Sequence, residues 1–327
     1  MLKTSVIIPT LQRGRSLERC LRSLVLLATA AENFELIVVD NAPGGDAETA
    51  HVVQTIAQQH PTHQIRYISE PALGIHNARH TGARVAKGTW LAYADDDTTF
   101  CPEWLNAYLH MIGSNPRVVA GGGPIRPIWD DPAPKWLLDY IGSSRNFGIL
   151  SLLDLELASQ VGPDALFYGA NMFVRRDALF RVGGFNPEAF GERWVGDGES
   201  GLLNKLRAEN SPVAYVHDAI VYHHIPRGRM NLSYFRKRMR NQGACDMFTR
   251  YHPNLAPRRA LVLSALQIAH RRIGDILRLP VSLLRHDRIS IDSQLRAVQA
   301  ISQAHYCLRL AVSSELRCLV QRERWLD

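Results

Sequence analysis

Over the first 120 residues, short apolar runs alternate with longer segments in which apolar residues recur every three or four positions. The short runs predict strands and the longer segments predict helices. The predicted strands, in chain order, are 5–9, 34–39, 64–68, 89–94 and 118–120, and the predicted helices are 15–30, 46–59, 74–86 and 102–112. Strands that are apolar on both faces are typical of a parallel sheet covered by helices. We therefore expect an α/β fold with a mostly parallel sheet.

The second half of the chain is less regular. Residues 121–166 hold several prolines together with Trp129 and Trp136, a pattern that predicts a long loop or a small subdomain. The remaining predicted elements are strands at 172–174, 213–216 and 219–223, a helix at 202–208, and arginine-edged helical patterns at 231–250, 258–279 and 290–319.

This pattern predicts an α/β domain followed by a helical extension. Residues 1–225 form the predicted domain, with a change from regular to irregular pattern at about residue 120. Residues 226–327 form a basic helical C-terminal region.

Composition indicates a folded protein in a reducing compartment. The chain has 327 residues, of which 46% are apolar and 21% are charged, so it can bury a sizeable core. Its five cysteines are scattered and form no Cys-x-x-Cys pair, which argues against a disulfide framework and a zinc site of familiar spacing. No apolar run approaches the length of a membrane span and no signal-peptide pattern opens the chain, so we expect a cytoplasmic location.

The net charge of +7 is unevenly distributed. From Pro226 onward there are 19 Lys and Arg against 7 Asp and Glu, a balance of +12, whereas the first 225 residues carry a balance of −5. A solvated set of arginine-rich helices and an anionic membrane surface both fit this pattern. Nucleic acid ranks last because no recognition motif accompanies the charge. We expect peripheral attachment to the inner face of the cytoplasmic membrane.

Three consecutive carboxylates follow the fourth predicted strand, at Asp95-Asp96-Asp97. Right-handed crossovers would place them at the same sheet edge as loops 10–14 and 40–45, where ligands bind in open α/β sheets. An Asp-rich turn is one explanation of the run. The other is a divalent cation, because Mg²⁺ and Mn²⁺ prefer hard oxygen ligands. No glycine-rich phosphate loop follows the first strand, so a metal is the natural holder of a diphosphate.

A second acidic cluster, Gly196-Asp197-Gly198-Glu199, precedes a predicted helix. Its carboxylates suit either helix capping or general-base catalysis. His223 ends a predicted strand, where it would be either a metal ligand or a structural histidine.

These segments together resemble the family 2 glycosyltransferases and their GT-A, Rossmann-like fold, from about Thr4 to Gly243. The matching segments are 5–10, 38–41, 74–79, 95–97, 169–172, 182–185, 196–199 and 221–224. The resemblance implies an inverting transfer of one sugar from a nucleotide diphosphate donor to a hydroxyl acceptor. It also implies that 1–225 is the catalytic domain, with nucleotide-sugar binding in about 1–120 and the acceptor side in about 121–225.

By the same resemblance, the nucleotide-sugar ligands are Pro9, Thr10, Arg13, Asp40, Arg79, Asp95 and Asp96. The metal ligands are Asp95, Asp97 and His223, the acceptor contacts are Trp129, Asn171 and Trp194, and the catalytic base is Asp197. The family often has Glu before its catalytic Asp, whereas this chain has Gly196, so Glu199 and Glu192 remain substitutes for the base.

The expected cofactor is Mg²⁺ or Mn²⁺, the expected donor carries UDP, GDP or dTDP, and the expected acceptor is a glycan or a lipid-linked precursor of a polysaccharide. Two alternatives stay open. A nucleotide-sugar-binding protein without catalysis is suggested by the altered motif at Asp197. A sugar nucleotidyltransferase also uses paired carboxylates and a metal, but normally shows a glycine-rich, basic loop after the first strand.

Overall fold

The computed structural model describes residues 4–162, 165–190, 193–194 and 196–326. Within them the strands are β1 Thr4–Thr10, β2 Phe34–Asp40, β3 Gln64–Ser69, β4 Trp90–Ala94, β5 Thr98–Phe100, β6 Ala120–Gly122, β7 Ile125–Trp129, β8 Asn146–Phe147, β9 Leu152–Leu153, β10 Gln160–Val161, β11 Asn171–Arg175, β12 Ala189–Phe190, β13 Arg193–Trp194, β14 Val213–Tyr215 and β15 Val221–Ile225.

The α-helices of the same described residues alternate with the strands at first and then dominate the C-terminal region. They are α1 Gly14–Leu24, α2 Ala47–Gln59, α3 Ile75–Val85, α4 Trp104–Ser114, α5 Lys135–Ile141, α6 Arg176–Arg181, α7 Gly198–Ala208, α8 Leu232–Tyr251, α9 Arg258–Arg271, α10 Ile273–Ser282, α11 Arg288–Val312 and α12 Ser314–Gln321.

The main sheet has the strand order β10-β14-β6-β11-β4-β1-β2-β3. Strand β1 pairs in parallel with β2 and β4, while β11 runs antiparallel between β4 and β6. Of the seven ladders described in this sheet, four are parallel. The expected α/β fold with a mostly parallel sheet is therefore confirmed.

Alternate residues of β1 enter the cores on the two sides of the sheet. Val6 and Ile8 pack with the apolar faces of α1 and α2, whereas Ile7 packs with α3 on the opposite face. Successive side chains of a strand point to opposite faces, so an all-apolar strand requires helices on both sides. Gly82 in α3 permits the close approach, because a Cβ there would lie 2.4 Å from Ile7 Cγ2.

A smaller sheet with the order β5-β15-β7-β9-β8 lies beside the edge of the main sheet at which β4 ends. Its strand β5 begins immediately after Asp97, and His223 of β15 pairs with Thr98 of β5. The pairing brings an imidazole from late in the chain next to the aspartate run. The predicted subdomain between residues 121 and 166 thus contributes strands β7 to β10 and helix α5.

Helix α11 is the centre of the C-terminal helices and packs against α8, α9 and α10. Two predicted helices are each divided in the structure, at Arg272 and at Ser313. At the second break, the Ser313 hydroxyl accepts a hydrogen bond from the Leu316 N–H and begins a new helix. In the described part of the chain, none of the helices is both long and apolar enough to span a bilayer.

Candidate active site

A cleft of about 670 Å³ opens at the carboxyl ends of β1 and β4. Ten of the residues expected at the site line it together: Pro9, Thr10, Arg13, Arg79, Asp95, Asp96, Asp97, Asp197, Glu199 and His223. The sequence places these residues on five separate segments, so only the folded chain makes them neighbours.

Asp96 joins the first loop to the aspartate run. Its carboxylate accepts a 2.7 Å hydrogen bond from the Thr10 hydroxyl and lies 3.1 Å from the Arg13 guanidinium. Burial raises the pKa of Asp96 to about 6, although Arg13 opposes that shift. Because both oxygens already have partners, Asp96 holds the loop after β1 against the cleft.

Asp97 is the strongly ionised member of the run. Burial raises its pKa, but the neighbouring His223 and the charges of Arg229 and Arg13 outweigh burial and hold the pKa below its ordinary value. One oxygen lies 2.7 Å from Arg229 Nη2, and the other lies 3.6 Å from His223 Nε2. The carboxylate of Asp97 is thus already paired with a cation, the Arg229 guanidinium.

His223 has the tautomer of a metal ligand. Its Nδ1 lies 3.0 Å from the carbonyl oxygen of Leu150, to which it donates, so Nε2 keeps its lone pair. Arg229 Nη1 lies 2.7 Å from that Nε2 and therefore donates to it. A guanidinium group now occupies the position between His223 and Asp97, where it acts as the cation.

Metal ligation was expected from Asp95, Asp97 and His223. Within the residues that the structure describes, no group of three or more His, Cys, Asp or Glu side chains has a metal-binding arrangement. Two of the expected ligands nevertheless converge on a cation, and Asp95 lines the same cleft. Carboxylate oxygens are ligands that suit Mn²⁺ or Mg²⁺, and in this structure Arg229 holds the position between Asp97 and His223.

Arg79 is the centre of a second charged cluster. It is only 2% exposed and lies 3.1 Å from Glu188, 3.6 Å from Glu199 and 3.7 Å from Asp95. Burial opposes its charge, but the surrounding carboxylates raise its pKa. Gly169 permits this packing, since a Cβ there would lie 2.2 Å from Arg79 Nη2.

Glu188 and Glu199 form a carboxyl pair with opposite pKa shifts. Burial and the charge of Glu199 raise the pKa of Glu188 to about 8. Burial also disfavours ionisation of Glu199, but Arg79 and the backbone N–H groups of Glu199 and Gly169 lower its pKa. The two carboxyl groups therefore share a proton, with the pKa of Glu188 held above and that of Glu199 below the ordinary value, and the Glu199 side chain is 23% exposed.

The environment of Asp197 differs from that of the carboxylates around Arg79, because its hydrogen-bond partners are uncharged. Its two oxygens accept hydrogen bonds from Asn186 Nδ2 at 2.8 Å and from the Thr249 hydroxyl at 2.7 Å. Burial raises its pKa, and both hydrogen bonds oppose that shift. Gly201 lets the carboxylate lie against α7, because a Cβ there would lie 2.2 Å from Asp197 Oδ1. The carboxylate joins the loop before α7 to helix α8.

Asp40 was expected to contact the nucleotide, but the structure buries it completely. Its oxygens accept hydrogen bonds from the Tyr67 hydroxyl and from the backbone N–H groups of Ala42 and Asp46. The expectation of a direct contact is therefore corrected: Asp40 shapes the loop after β2, and its neighbour Asn41 lines the cleft.

Asn171 and Trp129 were expected to contact the acceptor, and the structure places both away from the cleft. Asn171 is fully buried and bonds to Trp104, Tyr108 and two backbone carbonyls. Trp129 packs beside an apolar cluster that includes Phe235. The buried amide of Asn171 has all of its hydrogen bonds within the protein, so it has a structural role. Trp129 is half-buried, and its role in acceptor binding stays a prediction.

Two other residues, Glu192 and Trp194, were also expected at the site. Glu192 lies outside the described residues. Trp194 lies in β13, whose backbone pairs with Ala189 of β12 at the cleft, so its role in acceptor binding stays a prediction.

Several cleft residues were not identified from the sequence. Glu188 belongs to the acidic segment before α7, and that acidity was its only signal. Tyr168 comes from a loop of the predicted acceptor side. Five more come from the region expected to be a separate extension: Arg229, Tyr234, Arg238, Asn241 and Gln242. No local pattern distinguishes them, because they reach the cleft only when α8 packs beside it.

The chain is similar to known proteins in sequence. A family model described as Glycosyl transferase family 2 matches residues 5–183. Validoxylamine A glucosyltransferase from Streptomyces hygroscopicus subsp. jinggangensis is 28% identical over 272 residues, which cover 77% of this chain and 62% of that protein. Succinoglycan biosynthesis protein ExoM from Rhizobium meliloti is 25% identical over 234 residues, which cover 71% of this chain and 70% of ExoM.

The fold is also similar to a solved structure. Mannosyltransferase PcManGT from Pyrobaculum calidifontis, in complex with GDP-Man and Mn²⁺, superposes with a TM-score of 0.60 at 18% identity, covering 93% of this chain and 86% of that one. At that identity the likeness shows the fold alone. The chain spans 62% and 57% of the lengths of the two validoxylamine A glucosyltransferases that it matches.

Proposed function

Because the chain belongs to glycosyl transferase family 2 and has the GT-A fold, we propose that it transfers a sugar from a nucleotide diphosphate-sugar to a hydroxyl acceptor with inversion. One observation carries the proposal: a single cleft holds the aspartate run beside the ionised Glu199 and its partner Arg79. Such a cleft supplies both a cationic site for a leaving diphosphate and a base for an attacking hydroxyl.

The donor would bind along the loop after β1 and the start of α3. Pro9, Thr10 and Gly74 line this side of the cleft, and Arg13 and Arg229 bring positive charge next to the aspartates. A diphosphate carries negative charge that these guanidinium groups complement. The family of GT-A neighbours includes one solved with GDP-Man, which supports a nucleotide-sugar donor without selecting among UDP, GDP and dTDP.

Asp95, Asp97 and His223 would hold a divalent cation, with Mn²⁺ or Mg²⁺ as the proposed ions. The support is the convergence of Asp97 and the Nε2 lone pair of His223 on the Arg229 guanidinium. When bound, such an ion supplies Lewis-acid neutralisation of charge on a leaving diphosphate. Arg229 would have to leave its present position, which makes its side chain a competitor of the ion.

We assign the general base to Glu199, in preference to Asp197. Glu199 is ionised and lies in the cleft beside Arg79, whereas both oxygens of Asp197 already accept hydrogen bonds from the protein. Glu199 would take the proton from the acceptor hydroxyl as the oxygen attacks the anomeric carbon. The bond from that carbon to the diphosphate oxygen breaks on the opposite face, and nucleoside diphosphate leaves with the electron pair.

The acceptor would enter between α8 and the loop that carries Gly148 and Ser151. Tyr168, Tyr234 and Arg238 line this side, and aromatic rings beside polar groups suit sugar binding. ExoM is named as a succinoglycan biosynthesis protein, which supports a glycan or a lipid-linked polysaccharide precursor as acceptor. The free state of all five cysteines agrees with the proposed reducing, cytoplasmic location.

Product analysis tests the proposal. The purified chain is incubated with UDP-, GDP- and dTDP-sugars and Mn²⁺, in the presence of candidate glycan acceptors, and released nucleotide is identified by chromatography. Nucleoside diphosphate is expected, and the Glu199→Gln variant should release far less. Release of pyrophosphate would indicate a nucleotidyltransferase, and donor binding without any turnover would indicate a binding protein; either result contradicts the proposal.

A further inference from the structure

Helices α9 and α10 expose an unusual amount of apolar surface. Between residues 258 and 289, which include α9, α10 and the turn into α11, six large apolar side chains are more than half exposed. They are Leu263 at 58%, Leu266 at 62%, Leu277 at 72%, Val281 at 62%, Leu284 at 83% and Ile289 at 78%. Single exposed leucines are ordinary on protein surfaces, whereas a cluster of this density marks a binding surface.

The spacing of these residues follows from how the helices pack. In α9, Leu261 and Ala265 are buried, and both α9 and α10 contact α11. In and just after α10, Ile273, Leu277, Val281 and Leu284 recur every three or four positions and are all exposed. These helices therefore have a second apolar face, which the described chain leaves uncovered.

Arginines flank these apolar residues along the chain. Residues 258–289 contain seven arginines and only two acidic residues. One of these, Asp275, lies 3.1 Å from Arg296 and 3.6 Å from Arg272, and the other, Asp287, accepts a hydrogen bond from the Ser290 N–H at the start of α11. The acidic groups are thus engaged, and the surface presents net positive charge around apolar side chains.

We propose that this face of α9 and α10 binds an anionic lipid surface, with the apolar residues inserted shallowly and the arginines at the headgroups. An amphipathic helix with a cationic rim binds in the interface plane of a bilayer. A second copy of the chain is a poorer occupant, because a two-fold contact would bring two arginine-rich faces together. The inference requires no catalytic step and so stands apart from the proposed function.

This surface is connected to the cleft through α11. Helix α8, which lines the cleft, packs against α11, and α11 also carries α9 and α10. In addition, the Tyr140 hydroxyl of α5 donates a 2.8 Å hydrogen bond to Asp292 of α11. Lipid binding would therefore hold the cleft and the acceptor side next to the bilayer.

Vesicle flotation of the full chain tests the inference. Wild type is compared on neutral phosphatidylcholine vesicles and on vesicles with about 30% phosphatidylglycerol. The variant carries Leu277→Ser, Val281→Ser and Leu284→Ser, and the matched control carries Leu26→Ser, since Leu26 is 71% exposed elsewhere on the chain. We expect wild type and the control to float with anionic vesicles and the triple variant to lose binding by about tenfold or more.

A second variant, with Arg278→Gln and Arg285→Gln, tests the contribution of the arginines and should abolish the preference for anionic vesicles. Salt at about 0.5 M should also weaken the binding of wild type. Absence of wild-type binding, or equal binding by the triple variant, would overturn the inference. So would a dimer of wild type in lipid-free sedimentation that the triple variant lacks. Leu284→Ser alone replaces the triple variant if its melting temperature falls, and undiminished binding by that single variant would count against the inference in the same way.

Discussion

Replacing Glu199 by glutamine is expected to lower kcat by about 100- to 10,000-fold, the range for loss of a general base. The change keeps the length of the side chain and removes both its negative charge and its ability to take a proton. Arg79 retains Glu188 at 3.1 Å, so the cluster stays assembled and the fold should be little affected. Each decade of rate corresponds to about 1.4 kcal/mol, so the loss is about 3–5 kcal/mol of transition-state stabilisation.

The matched comparison is Asp197→Asn. An asparagine keeps one acceptor oxygen in place of the two that now accept from Asn186 and Thr249. Losing one hydrogen bond to a charged group costs about 1.5–3 kcal/mol, and the Thr249 hydroxyl can reverse its role and reduce that cost. We therefore expect a melting temperature several degrees lower and a kcat within about tenfold of wild type.

The assay is steady-state release of nucleoside diphosphate, with donor affinity measured by calorimetry and unfolding followed by circular dichroism. Glu199→Gln should lose turnover and keep its stability, whereas Asp197→Asn should lose stability and keep its turnover. If Asp197→Asn abolishes turnover while Glu199→Gln retains more than a tenth of it, the base is Asp197 and the reasoning from its two hydrogen bonds is refuted.

Three further predictions concern charge and burial. Glu188→Gln should become more stable relative to wild type as pH rises from about 5 to 8. The pKa of Glu188 is raised in the native state, so the native state still binds a proton that the unfolded state has released, and wild type loses stability as pH rises. Melting temperatures of both proteins in metal-free buffer measure this difference. Arg229→Gln should tighten Mn²⁺ binding about tenfold in calorimetry, since it removes a positive charge 2.7 Å from Asp97, while Arg227→Gln, exposed on the same turn, should change nothing. Asn171→Ala should cost about 3–5 kcal/mol in urea unfolding, because it leaves four buried polar groups without their partner.

Each of these predictions has a clear contrary result. A constant difference in melting temperature across that pH range would mean that Glu188 has an ordinary pKa in the folded protein. Weaker Mn²⁺ binding by Arg229→Gln would show that the arginine supports the ion and does not compete with it. A stable Asn171→Ala variant with a raised KM for acceptor would return that residue to the acceptor site.

Local pattern was sufficient for much of the fold. The apolar runs of β1, β2 and β4 predicted strands buried on both faces, and the helical periods between them predicted the parallel sheet. The chain order of these units also predicted that the loop after β1 and the aspartate run would lie at one sheet edge, because crossover handedness brings both there. In the structure, the Thr10 hydroxyl and Asp96 Oδ2 are 2.7 Å apart. These features depend on interactions between residues near in sequence and on one general rule of chirality.

The roles of individual polar residues were decided only by the tertiary structure. Asp40 and Asn171 were expected to be ligand contacts from the family resemblance, yet burial gave each of them a complete set of protein hydrogen bonds. Arg229 came to lie against Asp97, 132 residues away in sequence, through the pairing of β15 with β5 and the turn that follows. A sequence states which groups are available, whereas desolvation and partner distance, which set their pKa and their accessibility, exist only once distant segments are packed together.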